Sequence, residues 1–87
     1  MKADHTQVTR LLKTARGHID GILKMVEEDR YCLELSSQIM AAQSILKKAT
    51  RMVLKAHVDC CVREAVASGA PDEKLEELAA LLDKLAD

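Results

Sequence analysis

Phenylalanine and tryptophan are absent from this 87-residue chain, and Tyr31 is its only aromatic residue. The core must therefore be aliphatic, drawn from Leu, Ile, Val, Ala and Met, a composition that suits helices. No stretch of eighteen apolar residues occurs, and the start of the chain (Met1, Lys2, Ala3, Asp4, His5) has no hydrophobic signal region. The chain accordingly reads as soluble and cytoplasmic, with no membrane as partner. Internal repeats, low-complexity tracts and strand-like alternation are also missing. So are a phosphate-binding Gly loop and a nucleophile, base and orienter in any recognisable array, which argues against an enzyme. Eighty-seven residues allow one domain, spanning 1–87, and a chain this short buries only a modest share of its surface alone.

What is present is helical period. Val8, Leu11, Leu12, Ala15, Ile19, Ile22, Leu23 and Val26 predict a first helix over about 4–28. Gly17 and Gly21 interrupt it, each at a cost of up to about 1 kcal/mol relative to Ala, and close packing against another helix is the expected reason. The charged run Glu27, Glu28, Asp29, Arg30 marks a turn made without Gly or Pro. From Leu33 to Val58 neither residue occurs, and Leu35, Ile39, Ala42, Ile45, Leu46, Ala49, Met52, Val53 and Ala56 form the stripe of a long second helix over about 32–67. Gly69, Pro71 and Asp72 predict a stop, a break and a cap. Leu75, Leu78, Leu81, Leu82 and Leu85 then give a third helix over about 73–86. The fold class is all-α, three helices. A helix of about 36 residues is about 54 Å long, more than the rest of the chain can cover, so oligomerisation is expected.

Three cysteines in a reducing compartment are better suited to ligation or thiol chemistry than to a disulfide framework. His57 and Cys61 are four apart and hence neighbours on one helical face, half of a soft-metal site. Cys60, about 100° round the helix from Cys61, cannot face the same point and reads as a small core residue. Cys32 lies twenty-five positions before His57, roughly 38 Å along one continuous helix. It can complete the site only from a second chain running antiparallel.

Net charge is −1, which would ordinarily argue against nucleic acid, but the charge is unevenly spread. Residues 1–25 carry a balance of +3 and residues 70–87 a balance of −4, while Lys47, Lys48, Arg51 and Lys55 form a second basic group across about two helical turns. The basic half can carry a phosphate-binding face.

With Arg16-Gly17-His18-Ile19-Asp20-Gly21-Ile22, Tyr31-Cys32, Gln38-Ile39, Ala42-Gln43 and His57-x-x-x-Cys61 in register, the chain resembles the CsoR family of bacterial metal-responsive repressors over essentially residues 8–82. The resemblance implies three-helix protomers, an antiparallel homodimer forming a four-helix bundle on the long second helix, and a homotetramer of two such dimers. It implies a transcriptional repressor that binds operator DNA without metal and leaves it when Cu(I) binds. Carried over, Cys32 of one chain with His57 and Cys61 of the other would hold Cu(I); Tyr31 and Glu77 would hydrogen-bond the histidine; Arg10, Lys13, Arg16, Lys47, Lys48 and Arg51 would face DNA. Two thiolates and one imidazole suit Cu(I) better than Ni(II) or Co(II), which prefer more and harder ligands. His5 and His18 read as solvated or structural residues.

Two other readings stand beside this one. Cys32 and Cys61 also match the dithiol of persulfide-sensing relatives, which generally lack the histidine at the place of His57. A copper buffer or chaperone would need no basic face, and such proteins commonly use a Cys-x-x-Cys loop, which this chain does not have.

Overall fold

The computed structural model describes the backbone of residues 1–69 and 71–86, and the side chains of those residues apart from 65, 71, 74, 85 and 86. The described residues form three α-helices and no strand: α1, His5–Glu27; α2, Cys32–Ser68; α3, Pro71–Ala86. Each helix of the sequence reading is present, with bounds shifted by one or two residues. None of the helices, among the described residues, is long and apolar enough to cross a membrane.

The helix ends follow from local chemistry. Asp4 stands outside α1 as its N-cap, its side chain accepting a hydrogen bond from the Gln7 amide at 3.1 Å, so the helix begins at His5. After Glu28, Asp29 takes a φ of 53° in the left-handed region, which Asp tolerates better than most residues because its short polar side chain bonds locally. That is how the turn forms without glycine. Arg30 then bridges Glu28 at 3.4 Å and Glu34 at 2.8 Å, and the bonds to Glu34 and then Glu28 raise its pKa above the ordinary arginine value. The Tyr31 carbonyl accepts the Leu35 amide at 3.0 Å as α2 starts.

At the other end of α2, Gly69 adopts a φ of 77° and donates its amide to the Val66 carbonyl at 3.3 Å, a left-handed helix stop. Here the structure corrects one expectation. Pro71 does not precede α3 with Asp72 as its cap; Pro71 is the first helical residue, and Asp72 with Glu73 lies inside the first turn. A proline is well placed there, since the amide it lacks would have no partner within the helix, and carboxylates favour that end of the dipole. Ala70 in this turn and the side chain of Leu85 lie outside the described residues.

The chain divides into two compact units, Asp4–Arg51 and Met52–Asp87, the latter joined by Met1–Ala3. In the first, the buried positions are Val8 and Ala15 on α1 and Ala42 and Ala49 on α2, each pair seven residues apart and so on one face. Its larger aliphatic side chains are poorly covered: Leu12, Ile19, Leu23, Ile39 and Leu46 are 41–57 % exposed. No large side chain is fully buried among the described residues. In the second unit Ala3 is buried, with Met1–Ala3 seated on the segment that contains the C-terminal half of α2. A Cβ built on Gly17 or Gly21 meets nothing within 4 Å, so neither glycine is packed closely against another helix of the same chain.

Candidate metal centre

One turn of α2 separates His57 from Cys61, and their side chains meet: His57 Nδ1 lies 3.4 Å from Cys61 Sγ. The opposite nitrogen, Nε2, is 3.8 Å from Oε1 of Glu77 on α3. Both contacts fall within the unit that holds α3. The ring thus has sulfur beside one edge and a carboxylate near the other. A neutral imidazole carries a single N–H. With that proton on Nε2, facing an acceptor, the Nδ1 lone pair is left beside the thiol, as a metal shared by the two side chains requires. The His57 and Glu77 side chains are 39 % and 51 % exposed, so the contact orients the ring more than it stabilises the fold; such exposed pairs contribute about 0–1 kcal/mol.

Cys60 is half-buried, and its Sγ donates to Glu64 Oε1 at 3.7 Å, one turn further along α2. It is therefore not the core residue expected, and its direction differs from that of Cys61. It lines a cleft with Lys2, Asp59 and Arg63. The seating of Lys2 and Ala3 on this unit was not foreseeable, because a three-residue start shows no periodicity to read.

Cys32, the first residue of α2, is an exposed free thiol in the Asp4–Arg51 unit, and exposed Tyr31 precedes it there. Among the described residues, no three His, Cys, Asp or Glu side chains gather closely enough to hold a metal ion. Within one unit the chain offers two donors, His57 and Cys61, already in contact.

The basic residues expected to face DNA are exposed: Arg10, Lys13 and Arg16 on α1, and Lys47, Lys48 and Arg51 on α2. All six belong to the Asp4–Arg51 unit, whereas Lys55 belongs to the other. On α2, Lys47, Lys48 and Arg51 lie roughly on the side opposite buried Ala42 and Ala49, at about 100° of rotation per residue.

Known proteins are similar to this chain in sequence and in fold. The chain is 45 % identical over 67 residues to the copper-sensing transcriptional repressor CsoR of Mycobacterium ulcerans, a match covering 77 % of this chain and 57 % of that protein. The chain thus spans little more than half the length of the mycobacterial CsoR proteins it matches. The crystal structure of the copper-sensing repressor CsoR with Cu(I) from Geobacillus thermodenitrificans superposes with a TM-score of 0.84 at 32 % identity, over 94 % of this chain and 85 % of that one. The nickel-responsive transcriptional regulator InrS gives 0.83 at 30 % identity, over 98 % and 96 %. These relatives are regulators of transcription, not enzymes. Residues 4–84 match the family described as metal-sensitive transcriptional repressors, and the chain belongs to that family.

Proposed function

We propose that the chain is a Cu(I)-responsive transcriptional repressor, acting in the cytoplasm as one metal-sensing and DNA-binding domain over residues 1–87. Without metal it holds operator DNA through Arg10, Lys13, Arg16, Lys47, Lys48 and Arg51; on binding Cu(I) it lets go. The observation that carries the reading is the orientation of His57, with Nδ1 against Cys61 and Nε2 toward Glu77. Cys32 of a second, antiparallel chain supplies the third donor. The second chain also covers the aliphatic surface that the first leaves exposed, in a dimer that pairs further into a tetramer.

Two thiolates and one imidazole form a soft, low-coordinate donor set that fits Cu(I). When bound, the ion supplies bonds that tie the start of one chain's α2 to the end of the partner's. The remaining work falls to the chain's own groups. The Glu77 carboxylate, 3.8 Å from Nε2, favours the tautomer with the proton on Nε2 and a free Nδ1, and Tyr31 of the second chain offers its hydroxyl to the same ring. Because His57 is on α2 and Glu77 on α3, fixing the ring fixes the two helices to each other. Release of DNA then requires that the conformation so fixed be one with lower affinity for DNA, and the coupling is reciprocal.

A nickel-responsive relative of similar fold makes the choice of metal the point to test. The reduced protein, bound to a duplex it has selected from a random pool, is titrated with Cu(I), Zn(II), Ni(II) and persulfide in parallel. Release by Cu(I) at the lowest free concentration is the expected result. Preferential release by Ni(II), or by persulfide with a Cys32–Cys61 link, would replace copper as the signal, and metal binding without any selected duplex would leave a copper buffer.

A further inference from the structure

Cys32 is an exposed free thiol at the first position of α2, and Tyr31 before it is 67 % exposed, so burial does not fix this corner of the chain. Helix ends fray, whereas a metal donor has to be held within about 0.5 Å of its place. α2 also begins without the kind of side-chain cap that begins α1. Its first backbone hydrogen bond runs from the Leu35 amide to the Tyr31 carbonyl, which puts Tyr31 at the cap position, where Ser, Thr, Asp and Asn are preferred. A tyrosine has no oxygen near its Cβ to accept the free amides of the first turn. Glu34 stands three residues on, where a glutamate commonly reaches back to the cap amide. Here its carboxylate is engaged elsewhere, Oε1 accepting a hydrogen bond from Arg30 Nη2 at 2.8 Å.

Arg30 is itself anchored from the other side of the turn. The Asp29 amide donates to the Val26 carbonyl at 3.1 Å and the Arg30 amide to the Met25 carbonyl at 3.1 Å. With Glu28 as the C-cap of α1 and Asp29 in the left-handed region, these are the paired bonds of a Schellman stop. The second guanidinium nitrogen, Nη1, lies 3.4 Å from Glu28 Oε2. The backbone of Arg30 thus closes α1 while its side chain grips the first turn of α2. Cys32 lies midway between Arg30 and Glu34, in the short stretch that the 2.8 Å bond closes. The three charged side chains are 44–51 % exposed, and pairs so exposed add little to stability. What the planar fork fixes is geometry, since it offers separate nitrogens to two carboxylates.

We propose that Arg30 is a positioning residue for the shared metal site: by bridging Glu28 and Glu34 across the turn, it sets where Cys32 presents its thiol to the partner chain. This rests on the reading above of a Cu(I) site shared between chains. It adds to that site a residue that is not itself a ligand and acts only through the backbone on either side of Cys32.

Arg30→Ala, Arg30→Lys, Glu34→Ala and the double variant Arg30→Ala/Glu34→Ala are compared with the full-length parent and with Cys32→Ala. Cu(I) affinity, read by competition with a chelator, is expected to fall about tenfold in Arg30→Ala, the lower end of what losing a group that orients a ligand costs. Arg30→Lys should fall about as far, because a single ammonium keeps the charge and loses the fork. Glu34→Ala should act in the same direction, and the double variant should lose no more than Arg30→Ala alone, as two members of one contact do. Melting temperature and mass by light scattering should stay at the parent's values. In the metal-free protein, the Leu35 amide should exchange faster in Arg30→Ala than in the parent, with no change midway along α1. Parent-like Cu(I) affinity in Arg30→Ala overturns the proposal, and so does parent-like affinity in Arg30→Lys, which would leave only the charge at work. A loss of affinity that comes with a lower melting temperature or a smaller assembly also overturns it, since Arg30 would then hold the fold and not the thiol. If the parent binds Cu(I) no more tightly than Cys32→Ala, the shared-site reading itself fails. A parent that depends on Cys32 and not on Arg30 removes only the positioning role.

Discussion

Glu77 faces His57 from the side of the ring opposite Cys61, its Oε1 3.8 Å from Nε2. A carboxylate there favours the proton on Nε2 and leaves Nδ1 for the metal, so its effect falls on how binding is transmitted more than on whether it occurs. Glu77→Gln retains a hydrogen-bonding group without the charge. Cu(I) affinity of the free protein and DNA affinity of the metal-free protein should both stay near the parent's. The difference between DNA affinity with and without copper should shrink by much of the roughly 1–3 kcal/mol common for such coupling. Tyr31→Phe, which removes the other proposed partner, should act in the same direction. Full release of DNA by copper in both variants would place the switch in the ligands' own helix.

Cys32 opens α2, and His57 lies twenty-five residues along it. If the site is shared between chains, defects on the two sides of it must complement. Cys32→Ala chains and His57→Ala/Cys61→Ala chains are each expected to bind copper weakly alone. Mixed dimers regain one intact site and keep one crippled site. Competition with a Cu(I) chelator counts the tight sites, and mixtures with none would rule out sharing.

Residues differ in how openly the sequence announces them. The three helices were legible because aliphatic residues recur every three or four positions, and His57 with Cys61 was legible because four residues make one turn. Helix ends were less so: Pro71 breaks a continuing helix and equally well begins one, and only the backbone shows that it begins α3. Asp29 gave no warning of a positive φ, since in the sequence it is one more acid after Glu27 and Glu28. Cys60 looked apolar, yet Glu64 one turn away offers its thiol an acceptor that a sequence does not rank above burial. Glu77 was singled out through family resemblance, as one more acid on an acidic helix; its contact with His57 is long-range and beyond periodicity.

Gly69 sets the turn from which α3 carries Glu77 toward His57, and it does so with a φ of 77°. A Cβ there meets no neighbour, so the cost of Gly69→Ala is one of backbone conformation, about 1–2 kcal/mol. The loss should be concentrated in α3, with faster amide exchange across Pro71–Ala86 and little change on α1. Copper-driven release should weaken in parallel, because Glu77 is then less firmly held. Unchanged exchange in α3 would mean that the turn does not govern its docking.

Arg16, Lys47, Lys48 and Arg51 all belong to the Asp4–Arg51 unit, while His57, Cys61 and Glu77 belong to the other. Charge at the first group should therefore be separable from metal binding at the second. Each cation that neutralises a phosphate releases condensed counterions, so the logarithm of DNA affinity should fall linearly with the logarithm of salt, losing about 0.9 from the slope for each contact removed. Arg16→Gln, Lys47→Gln, Lys48→Gln and Arg51→Gln, made singly, should weaken binding to selected and unselected duplexes alike wherever the residue meets a phosphate. A residue that reads a base edge should instead relax the sequence preference by about 1–3 kcal/mol at one position. Cu(I) affinity of the free protein should stay constant throughout the series. A complex indifferent to salt, or a copper affinity that tracks these substitutions, would show that the basic face is not where the DNA is held.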